Sequence, residues 1–231
     1  MRVLVTRPRD DAEETAAKLI ALGHMPIIAP LLDIKFRERH EIGLDGVQAI
    51  LVTSANGIRA LAERTPQRDV PVLAVGEQSA EVARSVGFAN VAHAGGDAAA
   101  LANLAIATLV PRNGSLLHAS GSETRGNLAD ILAARGFSVR REILYDAVAI
   151  EALPAEAQTA LMRKALDAAL FFSPRTARIF ADIAVKENLS CHSLRALCIS
   201  QATADELGGL AFRDIRVAVQ PNQDALLALL G

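Results

Sequence analysis

Tryptophan is absent from the 231 residues, tyrosine occurs once, and phenylalanine numbers seven. A chain so poor in flat rings has little on which to stack unpaired bases, which argues against single-stranded nucleic acid as a partner. No charge of one sign dominates either: 24 Lys and Arg stand against 26 Asp and Glu, a net charge of −2. No overall field draws in DNA, RNA or an anionic membrane surface. No run reaches the roughly eighteen apolar residues that a membrane span requires. The start, MRVLVTRPRDD, is too short in apolar residues for a secretory leader. The only two cysteines, Cys191 and Cys198, read as reduced, buried thiols of a cytosolic protein. The five histidines include no pair at metal-ligand spacing. Walker and G-x-G-x-x-G loops are missing, and Gly95-Gly96-Asp97 lacks the rest of a dinucleotide fingerprint. The expectation is a cytoplasmic monomer that takes a small molecule, without nucleic acid, membrane, metal or cofactor.

What is present is hydrophobic: 51% of the chain, mostly Ala, Leu, Val and Ile. That composition suits helices packed on parallel sheets. The organising stretch is Ile50–Ala62, ILVTSANGIRALA. Its apolar run reads as a buried strand, Thr53–Gly57 as a polar turn, and Ile58, Leu61 and Ala62 as the start of a helix. A hydroxyl at such a turn caps the helix, and the remaining outward N–H groups, with the dipole behind them, suit an anion. Leu170–Asp182, LFFSPRTARIFAD, repeats the pattern, with Ser173 as cap and Pro174 at the first helical position.

The same alternation runs throughout. Arg2–Thr6 is a strand, and Asp10 with Glu13 resembles a capping box opening a helix that Gly23 ends. Val70–Val75 leads into Gly76-Glu77-Gln78-Ser79, and Ser115–Ala119 into Ser120-Gly121-Ser122 and a helix over Glu123–Arg135. Leu194–Ile199 leads into Ser200–Thr203. The class is α/β with mainly parallel sheets.

Order and spacing also echo between halves. VLAVGEQSAEVARSVGF at Val72–Phe88 matches ALCISQATADELGGLAF at Ala196–Phe212, and Val91–Ala105 matches Val217–Leu230. The opening stretch matches Ser115–Arg140. All recur at about half the chain length, which predicts an internal duplication. Two extended runs, 31–36 and 144–150, flank the middle block and can pair as a two-stranded β-ladder. Domain one is then 1–32 plus 151–231, domain two is 37–146, and a cleft between them is bordered by turns at strand C-termini.

Candidate contacts in those turns are Arg7, Thr53, Ser54, Gly76, Ser79, Ser120, Gly121, Arg125, Ser173, Ser200 and Thr203. The Ser and Thr residues are helix caps, ligand contacts or both, capping alone being the commoner case, and a loop arginine is commonly just solvated. Tyr145 lies in the second extended run; the residues by themselves leave open a proton donor or a ring packed at a seam. His118, within a strand, reads as a core histidine ahead of a base.

Taken together, the chain resembles uroporphyrinogen-III synthases along nearly its whole length. The matching segments are VLVTRP at Val3–Pro8, ILVTSANGI at Ile50–Ile58, AVGEQSA at Ala74–Ala80 and ASGSETRGNL at Ala119–Leu128. ILYDA at Ile143–Ala147, LFFSPRTA at Leu170–Ala177 and CISQATADEL at Cys198–Leu207 complete the set. Ser200 departs from the pattern, where the family usually carries glycine. The resemblance implies two flavodoxin-like domains joined by a β-ladder. It implies cyclisation of the polycarboxylate tetrapyrrole hydroxymethylbilane with inversion of ring D and no cofactor, and it makes Tyr145 the functional tyrosine. The competing expectations are a non-catalytic bilobal binder of an anionic small molecule and a nucleotide-dependent enzyme of similar fold.

Overall fold

A computed structural model describes residues 1–37, 40–124 and 126–231. In chain order the strands are β1 (Arg2–Val5), β2 (Met25–Ile28), β3 (Leu32–Phe36), β4 (Val47–Val52), β5 (Val72–Ala74) and β6 (Val91–His93). They continue with β7 (Ser115–Gly121), β8 (Val139–Ala149), β9 (Ala168–Phe171), β10 (Arg195–Cys198) and β11 (Asp214–Val217). The helices are α1 (Arg9–Ala21), α2 (Ala55–Ala62), α3 (Glu77–Ser85), α4 (Ala98–Thr108) and α5 (Leu128–Ala133). After them come α6 (Ala155–Met162), α7 (Pro174–Lys186), α8 (Gln201–Asp205) and α9 (Gln223–Leu227). The chain divides into two units, Met1–Asp33 with Val148–Gly231, and Ile34–Ala147.

The first unit holds a parallel five-stranded sheet in the order β11-β10-β9-β1-β2. Its inner strands are apolar on both faces because helices cover both. Val3 and Val5 pack with Leu19 and Leu226 on one side, while Leu4 packs with Phe171 and Phe180 on the other. On that second side the Phe171 and Phe180 rings meet edge to face at 5.2 Å. The second sheet runs β3-β8-β7-β4-β5-β6. Within it β4 to β8 pair in parallel, with Ile50 and Val52 facing one layer and Ala49 and Leu51 the other. β3 runs opposite to β8: Arg37 N–H donates to Leu144 O, and Ile150 N–H to Leu31 O.

Both sheets reverse strand order at one point, between β1 and β9 in the first and between β4 and β7 in the second. In open α/β sheets the crevice beyond the strand ends at such a reversal is where ligands bind. The first sheet has the flavodoxin-like order 2-1-3-4-5, and β8-β7-β4-β5-β6 has the same order with the chain cut before β7.

Three local expectations are corrected. The capping box is not formed: α1 begins at Arg9 behind Pro8, so Asp10 sits inside the first turn, where its charge faces the helix dipole. Gly57 is not in a turn; α2 starts at Ala55 and Gly57 lies within it. The helix expected over Glu123–Arg135 shrinks to Leu128–Ala133, because Gly126 takes a left-handed φ of 78° that ends any helix before it. Cys191 and Cys198 are buried free thiols, pushed up by burial to about 11 and about 12.

Candidate functional site

In the second unit, Thr53, Ser54, Gly76, Ser79, Ser120, Gly121 and Tyr145 all lie toward the C-terminal edge of the parallel strands. Ser54 caps α2 with its hydroxyl accepting from Asn56 N–H at 3.3 Å. Gly76 occupies the capping position of α3 without a side chain, and Ser79 lies in that helix's first turn. Thr53 and His118 face each other across the β4/β7 reversal, with Oγ1 and Nε2 3.4 Å apart. One strand over, the Arg141 guanidinium grips the turn that ends β7: Nε donates to Ser120 Oγ at 3.0 Å. Its Nη2 donates to Gly121 O at 2.9 Å and Ser122 O at 2.8 Å. Tyr145 is 8% exposed, its ring stacked onto Gly121 within the cluster of Val52, Ala119 and Leu144. Next to it, Arg37 forms a two-pronged bond to Asp146 at 2.9 Å per prong. That bond, joined by one from Ser122, draws the Asp146 carboxyl down to about 2.

His118 is 4% exposed. Burial first, and the nearby Arg141 charge second, lower its pKa to about 4 from an ordinary 6.5. It is therefore neutral near pH 7 and behaves as a core histidine. Because the unfolded chain binds this proton more readily, the stability it confers is complete above about pH 6.5 and is lost as pH falls toward about 4. The loss is on the order of 3 kcal/mol. Across that pH range the urea midpoint of the parent should fall further than that of His118→Leu; parallel curves would show that this ring titrates normally.

In the first unit the candidates lie at the ends of β1, β9 and β10. Ser173 and Ser200 cap α7 and α8, accepting from Thr176 N–H at 3.2 Å and Thr203 N–H at 3.3 Å. Each hydroxyl also lies 3.0 Å from its threonine's hydroxyl, at the same three-residue spacing. The backbone at Ser200 is extended, φ −156°, a conformation any residue adopts, so the departure from glycine is accommodated.

Arg7 is 6% exposed and lies across the β1/β9 reversal with its guanidinium 4.2 Å from the Phe172 ring centroid. It donates to Gln223 Oε1 at 2.6 Å and Thr15 Oγ1 at 3.2 Å, and pairs with Asp11 at 3.5 Å. The side chain expected to reach for a carboxylate thus ties α1 to the start of α9. Arg125 lies outside the described residues.

Residues that sequence reasoning did not single out are Arg141, Thr176, Thr15, Phe172 and Gln223. Only Thr176 left a signal, its spacing from Ser173 matching that of Thr203 from Ser200. Among the described residues no group of His, Cys, Asp and Glu could hold a metal ion, and no helix is long and apolar enough to cross a membrane.

Two open, parallel-dominated α/β sheets, each with capped helix N-termini and hydroxyl residues at its order reversal, define the class as a double-unit α/β protein. The HEM4 family, uroporphyrinogen-III synthase HemD, matches residues 13–228, and the chain belongs to that family. The crystal structure of uroporphyrinogen-III synthetase from Helicobacter pylori 26695 has the same fold. It matches at a TM-score of 0.66 and 20% identity, covering 100% of this chain and 98% of that one. A mutant uroporphyrinogen III synthase from the extremely thermophilic bacterium Thermus thermophilus gives 0.55 and 21%, covering 100% and 96%. A Methanocaldococcus jannaschii protein named "Putative uroporphyrinogen-III synthase" is 31% identical over 87 residues, or 35% of this chain. That match spans 36% of the relative's own length.

Proposed function

We propose that the protein cyclises hydroxymethylbilane to uroporphyrinogen III, with loss of water and inversion of ring D. The observation that carries this is the family match from residue 13 to residue 228. The substrate bears many carboxylates while the protein is mildly acidic, so binding rests on local donors. Each unit offers them: the N-termini of α2 and α3 in one, of α7 in the other, with the hydroxyls of Thr53, Ser79 and Thr203 nearby.

The reaction needs a proton for the departing hydroxyl and attack on the resulting methylene by the substituted carbon of ring D to give a spiro intermediate. The old bridge bond to ring D then breaks, and the free ring D carbon bonds to the released bridge carbon and loses a proton, closing the ring with ring D reversed. Tyr145 donates the proton for the departing hydroxyl, or the hydrogen bond that stands for it, and the surrounding turns enforce one conformation on a substrate that closes unaided to the type I isomer. Ser54, Gly76, Ser120, Gly121, Ser173 and Ser200 present their turns to the carboxylates. The two sheets of like strand order descend from one duplicated unit, and the protein works as a cytoplasmic monomer.

The test is to supply enzymatically generated hydroxymethylbilane and separate the product isomers. The type III isomer is expected; type I in sole possession of the product would end the proposal.

A further inference from the structure

We propose that Gly121, fixed by Arg141, is a positioning residue that sets where the Tyr145 hydroxyl lies. This rests on the reading of Tyr145 as donor to the leaving group. A Cβ built on Gly121 would stand 2.8 Å from Tyr145 Cζ, 2.9 Å from Cε2 and 3.1 Å from Oη. Carbon atoms pack at about 3.5–4.0 Å, so such a methyl pushes the ring by roughly 1 Å. The contacted atoms are those of the hydroxyl end, so the displacement falls on the phenol oxygen. Backbone conformation is not the reason for glycine, since Gly121 is not among the positive-φ glycines. Space is.

The turn cannot retreat instead. Arg141 holds Ser120 Oγ, Gly121 O and Ser122 O with three hydrogen bonds. Ser120 Oγ donates to Glu142 O at 3.2 Å, and Ser122 N–H donates to Tyr145 O at 3.0 Å. A register shift between Ser120 and Gly121 brings Gly121 opposite Tyr145. The turn is therefore tied to β8 on both sides of the tyrosine, and the ring is the part that yields. That also keeps the fold intact on substitution, because what moves is a side chain.

The composition supplies the probe: with one tyrosine and no tryptophan, phenol absorbance and emission report Tyr145 alone. Gly121→Ala is expected to lower kcat about 10²-fold with little change in KM, the usual cost of a displacement near 1 Å. In a Tyr145→Phe background the same change should cost less than about 2-fold, since no hydroxyl remains to misplace. Alkaline titration of the phenol, followed by its absorbance, should show a shifted midpoint in Gly121→Ala. An equal kcat loss in both backgrounds, or an unshifted midpoint, overturns the proposal. Full turnover in Tyr145→Phe would instead defeat the donor reading, and the titration would still decide whether Gly121 places the ring. If Gly121→Ala fails to fold by circular dichroism, Arg141→Lys keeps the charge but loses the three-point grip. A shifted midpoint there supports the proposal and an unchanged one overturns it.

Discussion

Replacing Tyr145 with phenylalanine is expected to slow formation of the type III isomer by roughly 10²–10⁴-fold, the range spanned by a positioned proton donor. The substitution removes one oxygen and leaves the ring, so the packing against Val52, Ala119 and Leu144 persists. The phenolic O–H can donate, whereas the phenyl ring cannot. On the proposed role of Tyr145, the variant loses help for the departing hydroxyl, and the substrate then has time to leave and close on its own. Single-turnover product analysis should therefore show type I rising as type III falls. An unchanged rate and isomer ratio would reduce Tyr145 to a packed ring.

Replacing Gly57 with alanine is expected to destabilise the second unit by about 2–3 kcal/mol, opposite in sign to what helix propensity predicts. Alanine inside a helix is ordinarily better than glycine by up to about 1 kcal/mol. At Gly57, however, a Cβ would stand 2.4 Å from Ala119 O and 3.2 Å from Ala119 C. Ala119 lies in β7, paired with Val52 of β4, so the obstructing atoms are backbone locked in a ladder. Unlike the Tyr145 ring, they cannot swing aside. Either α2 lifts away from the sheet or the ladder distorts, and overpacking of this kind costs about 1–3 kcal/mol or more. Urea unfolding followed by circular dichroism measures it. A midpoint at or above that of the parent would mean that α2 can slide without loss.

The two glycines also show how far the sequence could be read. The buried strand runs, Ser173 as a cap and Pro174 behind it were legible, because each is set by a few adjacent residues. By sequence Gly57 reads as part of a turn, since a glycine so close to polar residues looks like a breaker, yet it lies inside α2. The carbonyl that requires it belongs to a strand 62 residues further along the chain (119 − 57). Arg7 shows the same limit in charge. After a strand it reads as a candidate partner for a substrate carboxylate, and only the fold reveals Thr15, Asp11, Gln223 and Phe172 around it. Arg141 gave no sign at all, because an Arg-Arg pair at a strand start says nothing about which carbonyls lie one strand away. The cap roles of Ser54, Ser173 and Ser200 are visible in the structure.

The first sheet places β1 beside β9, whose residues are made some 160 positions later (168 − 5). During synthesis, β1, α1 and β2 emerge ahead of the middle stretch and keep an open strand edge while the ribosome completes the whole of Ile34–Ala147. That middle stretch is contiguous and can fold as soon as it clears the exit tunnel, whereas the first unit has all its strands only when β9, β10 and β11 have followed. The unpaired edge of β1 in that interval is where mistaken association threatens a newly made chain.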